Sequence, residues 1–232
     1  MIGLALSAGA AVAGALAYGV LEPNAPLFGR AIGRGPRDGR RCYLTFDDGP
    51  NPSATEPILD TLSAHDVPAA FFLVGEHVRH HPALARRIAE AGHELANHTQ
   101  HHVKLHLRGP RRIRAELATA HRTIVDATGR APRAFRAPHG YRNPFVAPVV
   151  RDLGYCVFGW TFGVWDSDRP GAEEIRRRVR RKLSPGAIIL LHDGDGYDSA
   201  GDRTQTAAAL PGIIEDAREA GYELRPLAEL TA

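Results

Sequence analysis

Cys42-Tyr43-Leu44-Thr45-Phe46-Asp47-Asp48-Gly49-Pro50 is the stretch on which the fold turns. Tyr43, Leu44 and Phe46 form an apolar run of strand length, and Gly49-Pro50 ends it abruptly. Two carboxylates are thereby delivered side by side at the end of a buried strand. Like charges that close are costly unless a cation or a proton separates them. A metal ion that takes one carboxylate and leaves the other as a base resolves the conflict. The plain alternative is an Asp-Asp-Gly-Pro turn with no further role.

Outward from this strand, strand and helix patterns alternate. Strands are expected at 42–46, 68–74, 93–97, 133–137, 155–160, 163–166, 187–192 and 222–225. Helices are expected at 54–64, 82–91, 110–127, 144–153, 171–183 and 205–220. Pro82 and Gly92 bracket the second helix with a start and a stop residue. This alternation predicts an α/β fold, a closed or nearly closed barrel of seven to eight mostly parallel strands with helices outside. In such folds chemistry gathers at the C-terminal ends of the strands. Asp47, Asp48, His98, Arg136, Asp166 and His192 all fall at expected strand ends.

The composition is that of one globular domain: 232 residues, 44% hydrophobic and 24% charged. The net charge of +3 is carried by arginine, with lysine only at Lys104 and Lys182. The basic run from Arg176 to Lys182 follows Glu173-Glu174 at helical spacing and reads as a solvated helix face. No aromatic residues interleave with these charges, which argues against nucleic acid as a partner. Cys42 and Cys156 are too few for a disulfide framework and read as buried thiols.

Residues 1–21 carry no charged side chain and have the length of a membrane span, a signal anchor or a signal peptide. Arg30, Arg34, Arg37, Arg40 and Arg41 follow the segment rather than precede it, the reverse of what export requires. A basic leader upstream of Met1 would reconcile the two. Pro23, Pro26, Gly29, Gly33, Gly35 and Pro36 make 22–40 an expected linker to a domain at 41–232. These features together point to the cell envelope, anchored or exported.

Seven of the twelve histidines fall between His77 and His102. In Asn97-His98-Thr99-Gln100-His101-His102, the pair His98 and His102 can face one metal from a single turn. His98 with His101 and His102 with His106 are competing pairs, and a surface histidine cluster is the bland reading. With Asp48 they make a set of two imidazoles and one carboxylate, the open set of a hydrolytic zinc site, although iron or cobalt suits the same ligands. His192 closes Ile188-Ile189-Leu190-Leu191-His192 and is placed to act as a general acid. Arg136 could pair with a carboxylate.

"TFDDGP" at 45–50, "NHTQHH" at 97–102, "RAPHG" at 136–140 and "LLHD" at 190–193 resemble the ordered motifs of the polysaccharide deacetylases, the NodB-like carbohydrate esterase family four. "AAFFLVGEHV" at 69–78, "GHELANH" at 92–98 and "RTQTAAALP" at 203–211 are similar too, so the resemblance covers roughly 42–230. It implies a distorted β/α barrel and metal-dependent removal of acetyl groups from a glycan of the peptidoglycan or chitin type. O-deacetylation of xylan, hydrolysis of another C–N bond and a silent glycan-binding protein are the alternatives. The resemblance further implies that Asp48, His98 and His102 hold a divalent metal, most readily zinc. Asp47 would then be the base, Arg136 its partner, and His192 with Asp166 the acid. His139, Gly140 and Leu190 would bind the oxyanion and substrate. Two positions depart from the family pattern: His139 stands where an aromatic residue, often tyrosine, is usual, and Ser167 where tryptophan is usual.

Overall fold

β1 (Arg41–Asp47) lies in the middle of the sheet in the computed structural model, which describes the backbone of residues 2–231 and side chains from residue 11 onward. β2 (Ala69–Leu73) flanks it on one edge and β7 (Ala187–His192) on the other. Beyond β2 follow β3 (Glu94–Asn97), β4 (Ala134–Phe135) and β5 (Cys156–Val157), and beyond β7 lies β6 (Phe162–Gly163). β8 (Glu223–Leu224) pairs with the first residues of β1. Every one of these pairings is parallel. The order β5-β4-β3-β2-β1-β7-β6 makes a distorted barrel whose β5 and β6 edges are not joined to each other among the described residues.

The helices α2 (Pro52–Ala64), α4 (Pro82–Glu90), α5 (Pro110–Thr128), α6 (Val146–Asp152), α7 (Ala172–Lys182) and α8 (Thr204–Glu219) lie where their periodicity predicts. α3 (Gly75–His80) was not expected, because six residues are too few to display a helical period.

Side chains alternate along β1 as the pleat demands. Leu44 and Phe46 face the helices, packing with Phe71, Ile189 and Leu191 against Ile58, Ile88 and Ile213. Tyr43 points into the barrel, where it meets Ala70, Phe72, Ala96, Ala134, Phe158 and Ile188. Thr45 and Asp47 continue that inner row toward the C-terminal rim. The register sets Asp47 directly beside His192 of β7, and Thr45 beside Leu190. A parallel pair keeps both partners on one face, so one inner row carries Asp47, His192 and Leu190 to the same rim.

The helix α1 (Ile2–Leu21) covers the apolar N-terminal segment. The side chains of residues 1–8 and 10, on which the anchor expectation partly rests, lie outside the described residues; among the described residues no helix is long and apolar enough to cross a membrane. The expected linker at 22–40 is not a free linker. Ile32 bridges to Phe158 beyond β5, and Arg34 bridges to Ala187 at the start of β7. The segment is thus a strap across the open side of the barrel. Buried Arg142 clasps it, its guanidinium donating to the carbonyls of Gly29, Pro23 and Ala25 at 2.9, 3.0 and 2.7 Å. Proline and glycine mark this stretch as irregular; its burial comes from an arginine more than a hundred positions away. Cys42 and Cys156 are free thiols, and burial pushes the Cys42 thiol up to about 12.

Candidate active site

Asp47 ends β1 and Asp48 begins the turn after it, with φ of 75°. Asp48, Thr99, His102, His139 and Trp165 are five of the seven described non-glycine residues with positive φ, and all five belong to the loops of this rim. Each such residue costs about 1–3 kcal/mol and persists only where its surroundings enforce it.

Those surroundings are specific. The turn Asp48-Gly49 is held by buried Asp193, whose Oδ1 accepts the Gly49 N–H at 3.1 Å and whose Oδ2 accepts the Thr55 hydroxyl at 2.6 Å. Burial and the neighbouring Asp48 and Asp47 charges push the Asp193 carboxyl up to about 7. The His98–His102 loop is held by buried Glu116, which accepts the N–H groups of Gln100 and His101 at 3.1 and 2.9 Å. Glu116 also draws the His101 ring outward, 3.0 Å from its Nδ1, which rules out the pair His98 with His101. His106 packs instead on the Tyr141 ring, 5.0 Å between centroids.

Asp48, His98 and His102 converge, with their candidate ligand atoms all within 4.8 Å of one another. His98 Nδ1 lies 2.9 Å from the Arg136 carbonyl; donating there leaves Nε2 free to face Asp48. The Nε2 atoms of His98 and His102 approach Asp48 Oδ1 to 3.3 and 3.1 Å, yet this buried oxygen has no hydrogen-bond partner. A buried, unpartnered carboxylate oxygen flanked by two imidazole nitrogens fits a divalent cation. Burial alone would raise the Asp48 carboxyl, but the His102 and His98 rings outweigh it and hold it well below the usual carboxylate range.

Arg136, fully buried at the end of β4, donates to Asp47 Oδ1 at 2.5 Å, to Thr45 Oγ1 at 3.0 Å and to the Gly159 carbonyl at 2.9 Å. Its guanidinium carbon lies 3.9 Å from the centroid of the Phe72 ring. Asp47 Oδ2 is left facing His98 Nε2 at 3.7 Å. This is no surface ion pair; it is a carboxylate fixed in one orientation by a rigid fork.

Across the barrel, His192 Nδ1 sits 2.9 Å from Asp166 Oδ1, while Asp166 Oδ2 accepts the His192 N–H at 2.7 Å and the Thr206 hydroxyl at 2.9 Å. Burial lowers the His192 imidazole, but Asp166 more than reverses this and raises it to about 9. A group so raised contributes stability that is fully present below the ordinary imidazole range and is lost as pH rises through about 9.

His139 occupies the middle of a 3-10 turn, Pro138–Gly140, at φ of 58°. Burial and the His102 ring push its imidazole down to about 4, so its neutral Nε2 can accept the Tyr197 hydroxyl at 2.9 Å. Leu190 lines the site. Gly140 does not: its N–H is spent on the Ala137 carbonyl, and a Cβ there would come within 2.7 Å of the Trp160 ring. Its bareness lets Trp160 pack behind the turn.

Sequence reading missed Tyr197, Asp195, Arg203 and Gly196, which join the site lining from the loop after β7. Gly196 lies flat on His102, where a Cβ would come within 2.1 Å of Nδ1. The run Gly194-Asp195-Gly196-Tyr197 signals a turn, but nothing local ties it to a histidine in another loop. His77, whose Nδ1 meets the Asp48 carbonyl at 2.7 Å, was likewise missed.

Comparison with known proteins agrees with this geometry. The family model for polysaccharide deacetylases matches residues 34–158. A chitooligosaccharide deacetylase of Bradyrhizobium sp. (strain ANU 289) is 40% identical over 213 residues, covering 88% of this chain and 97% of that protein. The crystal structure of a peptidoglycan N-acetylglucosamine deacetylase in complex with an N-hydroxybenzamide superposes with a TM-score of 0.81 at 28% identity, over 86% of this chain and 92% of that one. A family-four pseudoenzyme from Bacillus anthracis superposes with a TM-score of 0.80 at 30% identity, over 87% of this chain and 69% of that one. The extent of these matches, over the strands that carry Asp47, His98 and Arg136, means that the chain belongs to the polysaccharide deacetylase family.

Proposed function

We propose that the protein is a metal-dependent hydrolase that removes acetyl groups from N-acetylated sugars of a chitin- or peptidoglycan-type glycan. The observation that carries this reading is the meeting, on one rim, of a three-ligand cluster, a carboxylate clamped by a buried arginine, and an imidazole backed by a buried carboxylate. The pseudoenzyme among the relatives shows that the fold alone does not suffice, so the side-chain set is what argues for activity here.

In this reading Asp48, His98 and His102 hold the cation, zinc being the first choice for such ligands. When bound, it supplies Lewis acidity and lowers the pKa of water. Asp47, held by Arg136, takes a proton from the attacking water. The His139 N–H faces the developing oxyanion, since the Gly140 and Tyr141 amides of that turn are already spent. His192, kept protonated by Asp166, hands its proton to the leaving amine. Leu190 supports the acetyl methyl.

The test is acetate release from N-acetylglucosamine oligomers by the full chain loaded with zinc or cobalt. Chelation is expected to abolish it and added zinc to restore it; turnover undiminished by exhaustive chelation would sink the proposal. A second expectation concerns pH. Asp166→Asn removes the charge that holds His192 at about 9, so the alkaline limb of kcat/KM is expected to move toward neutrality. An unmoved limb would remove His192 from its role as acid.

The segment 1–21 is read as a tether or export signal to the cell envelope, and 22–232 as the catalytic unit. Recovery of the native protein only from the soluble cytosol would overturn that localisation.

A further inference from the structure

A second cavity, of about 500 Å³, adjoins the polar slot that contains Asp47 and Asp48. His139, Trp160, Ser167, Leu190 and His192 line both, so the two share one wall. The added wall is largely apolar, made by Tyr141, Phe162 and Trp165, with exposed Lys182 at the rim.

We infer that this cavity receives the acyl chain of the substrate, and that the protein hydrolyses amino sugars bearing N-acyl groups longer than acetyl. The inference rests on the hydrolase reading above. Three observations carry it.

Position comes first. Leu190 lies two residues before His192 on the same inner face of β7. A carbonyl carbon between Asp47 and His192, with its amine toward His192, turns its acyl substituent toward Leu190.

Openness is the second. Gly163 of β6 stands in register with Leu190, and a Cβ at Gly163 would already come within 3.5 Å of the Leu190 side chain. Gly163 and Ser167, both small, leave the space beyond Leu190 unfilled. A methyl group cannot occupy a volume that lies within the range of whole ligand pockets, about 300–1,000 Å³.

Polarity is the third. The Thr161 hydroxyl donates to the Gly33 carbonyl at 2.7 Å and accepts the Ile188 N–H at 3.0 Å. Lys182 Nζ is spent on the Gly163 carbonyl at 2.9 Å. These two groups are therefore already paired, and the apolar faces of Tyr141, Phe162 and Trp160 suit an alkyl chain.

The reaction is ordinary amide hydrolysis. The water oxygen bonds to the acyl carbon, the C–N bond breaks, and the nitrogen leaves as an amine with its added proton. The chain departs as a carboxylate, and no oxidant or co-reactant is needed.

The experiment uses the zinc-loaded full chain and glucosamine oligomers of equal length carrying N-acetyl, N-butyryl or N-hexanoyl groups, and follows the amine released. The butyryl and hexanoyl substrates are expected within about tenfold of acetyl in kcat/KM, or above it. Ser167→Trp narrows the passage and is expected to lower the hexanoyl-to-acetyl ratio at least about tenfold. Gly163→Val serves the same purpose should the tryptophan variant misfold. The ratio is read within each variant, so a general loss of stability does not mimic the result. Acetyl release with the longer substrates more than tenfold slower overturns the inference and leaves the deacetylase reading standing. A ratio unmoved in folded variants also overturns it. No release from any of the three substrates overturns both.

Discussion

Asp47→Asn is expected to lower kcat by about 100- to 10,000-fold, the range associated with removing a positioned general base. The substitution preserves shape, and Asp48, His98 and His102 are untouched, so bound zinc per chain is expected to stay the same. Arg136 keeps Thr45 Oγ1 and the Gly159 carbonyl as acceptors but loses its carboxylate. Breaking a buried ion pair costs about 3–5 kcal/mol, less where the replacement amide oxygen still accepts. Activity, zinc content and the urea midpoint therefore need to be read together. Near-normal turnover in a folded, zinc-replete variant would exclude Asp47 as the base. Arg136→Met is the informative companion: it leaves Asp47 buried without its counter-charge, and it is expected to cost stability at the upper end of the same range.

Removal of residues 1–37 is expected to leave the remainder largely unfolded, although sequence reading drew the domain boundary at residue 41. The deletion takes away Phe28, which is 7% exposed, and Ala25, which is fully buried. It also strands the Arg142 guanidinium, whose three carbonyl acceptors all belong to the strap. Burying a large aromatic such as Phe28 contributes about 3–5 kcal/mol by the cost of its truncation to alanine. Each unsatisfied buried donor adds about 1–3 kcal/mol. Together these approach the whole stability of a typical domain, about 5–15 kcal/mol. Denaturation curves on the deletion, on Arg142→Ala and on the full chain would measure this. A deletion variant with an unchanged urea midpoint would show the strap to be dispensable. Because Asn24 Nδ2 also donates to the Trp160 carbonyl at 2.9 Å, and Pro23 backs Gly140, a weakened strap is expected to loosen the His139 turn as well.

Much of the fold was legible because its signals are local. The apolar run of β1 and the Pro82 start and Gly92 stop of α4 each act within a few residues. The short strands β4, β5 and β6, two residues each, were over-drawn.

The candidate site was legible to the extent that strand ends announce it. The choice between His101 and His102 was not, because it depends on Glu116 in the middle of α5. The packing of Gly140 against Trp160 and Pro23 joins segments that no local pattern connects. Tyr197 was overlooked because its partner His139 is 58 positions away.

Residue type and local spacing alone therefore determined a parallel α/β barrel, a pair of carboxylates at the end of β1, and a polar rim drawn from several strands. Tertiary structure decided what each rim residue faces. It turned Asp47 to Arg136 and Asp48 to two imidazoles, folded an apparent linker into the barrel wall, and opened a cavity between Gly163 and Ser167. The physical reason is that hydropathy and turn chemistry act between neighbours in the chain. Partnerships of buried charge, and the shape of empty space, are set by packing among segments far apart in the chain, such as Asp48 with His98 and Asp47 with Arg136.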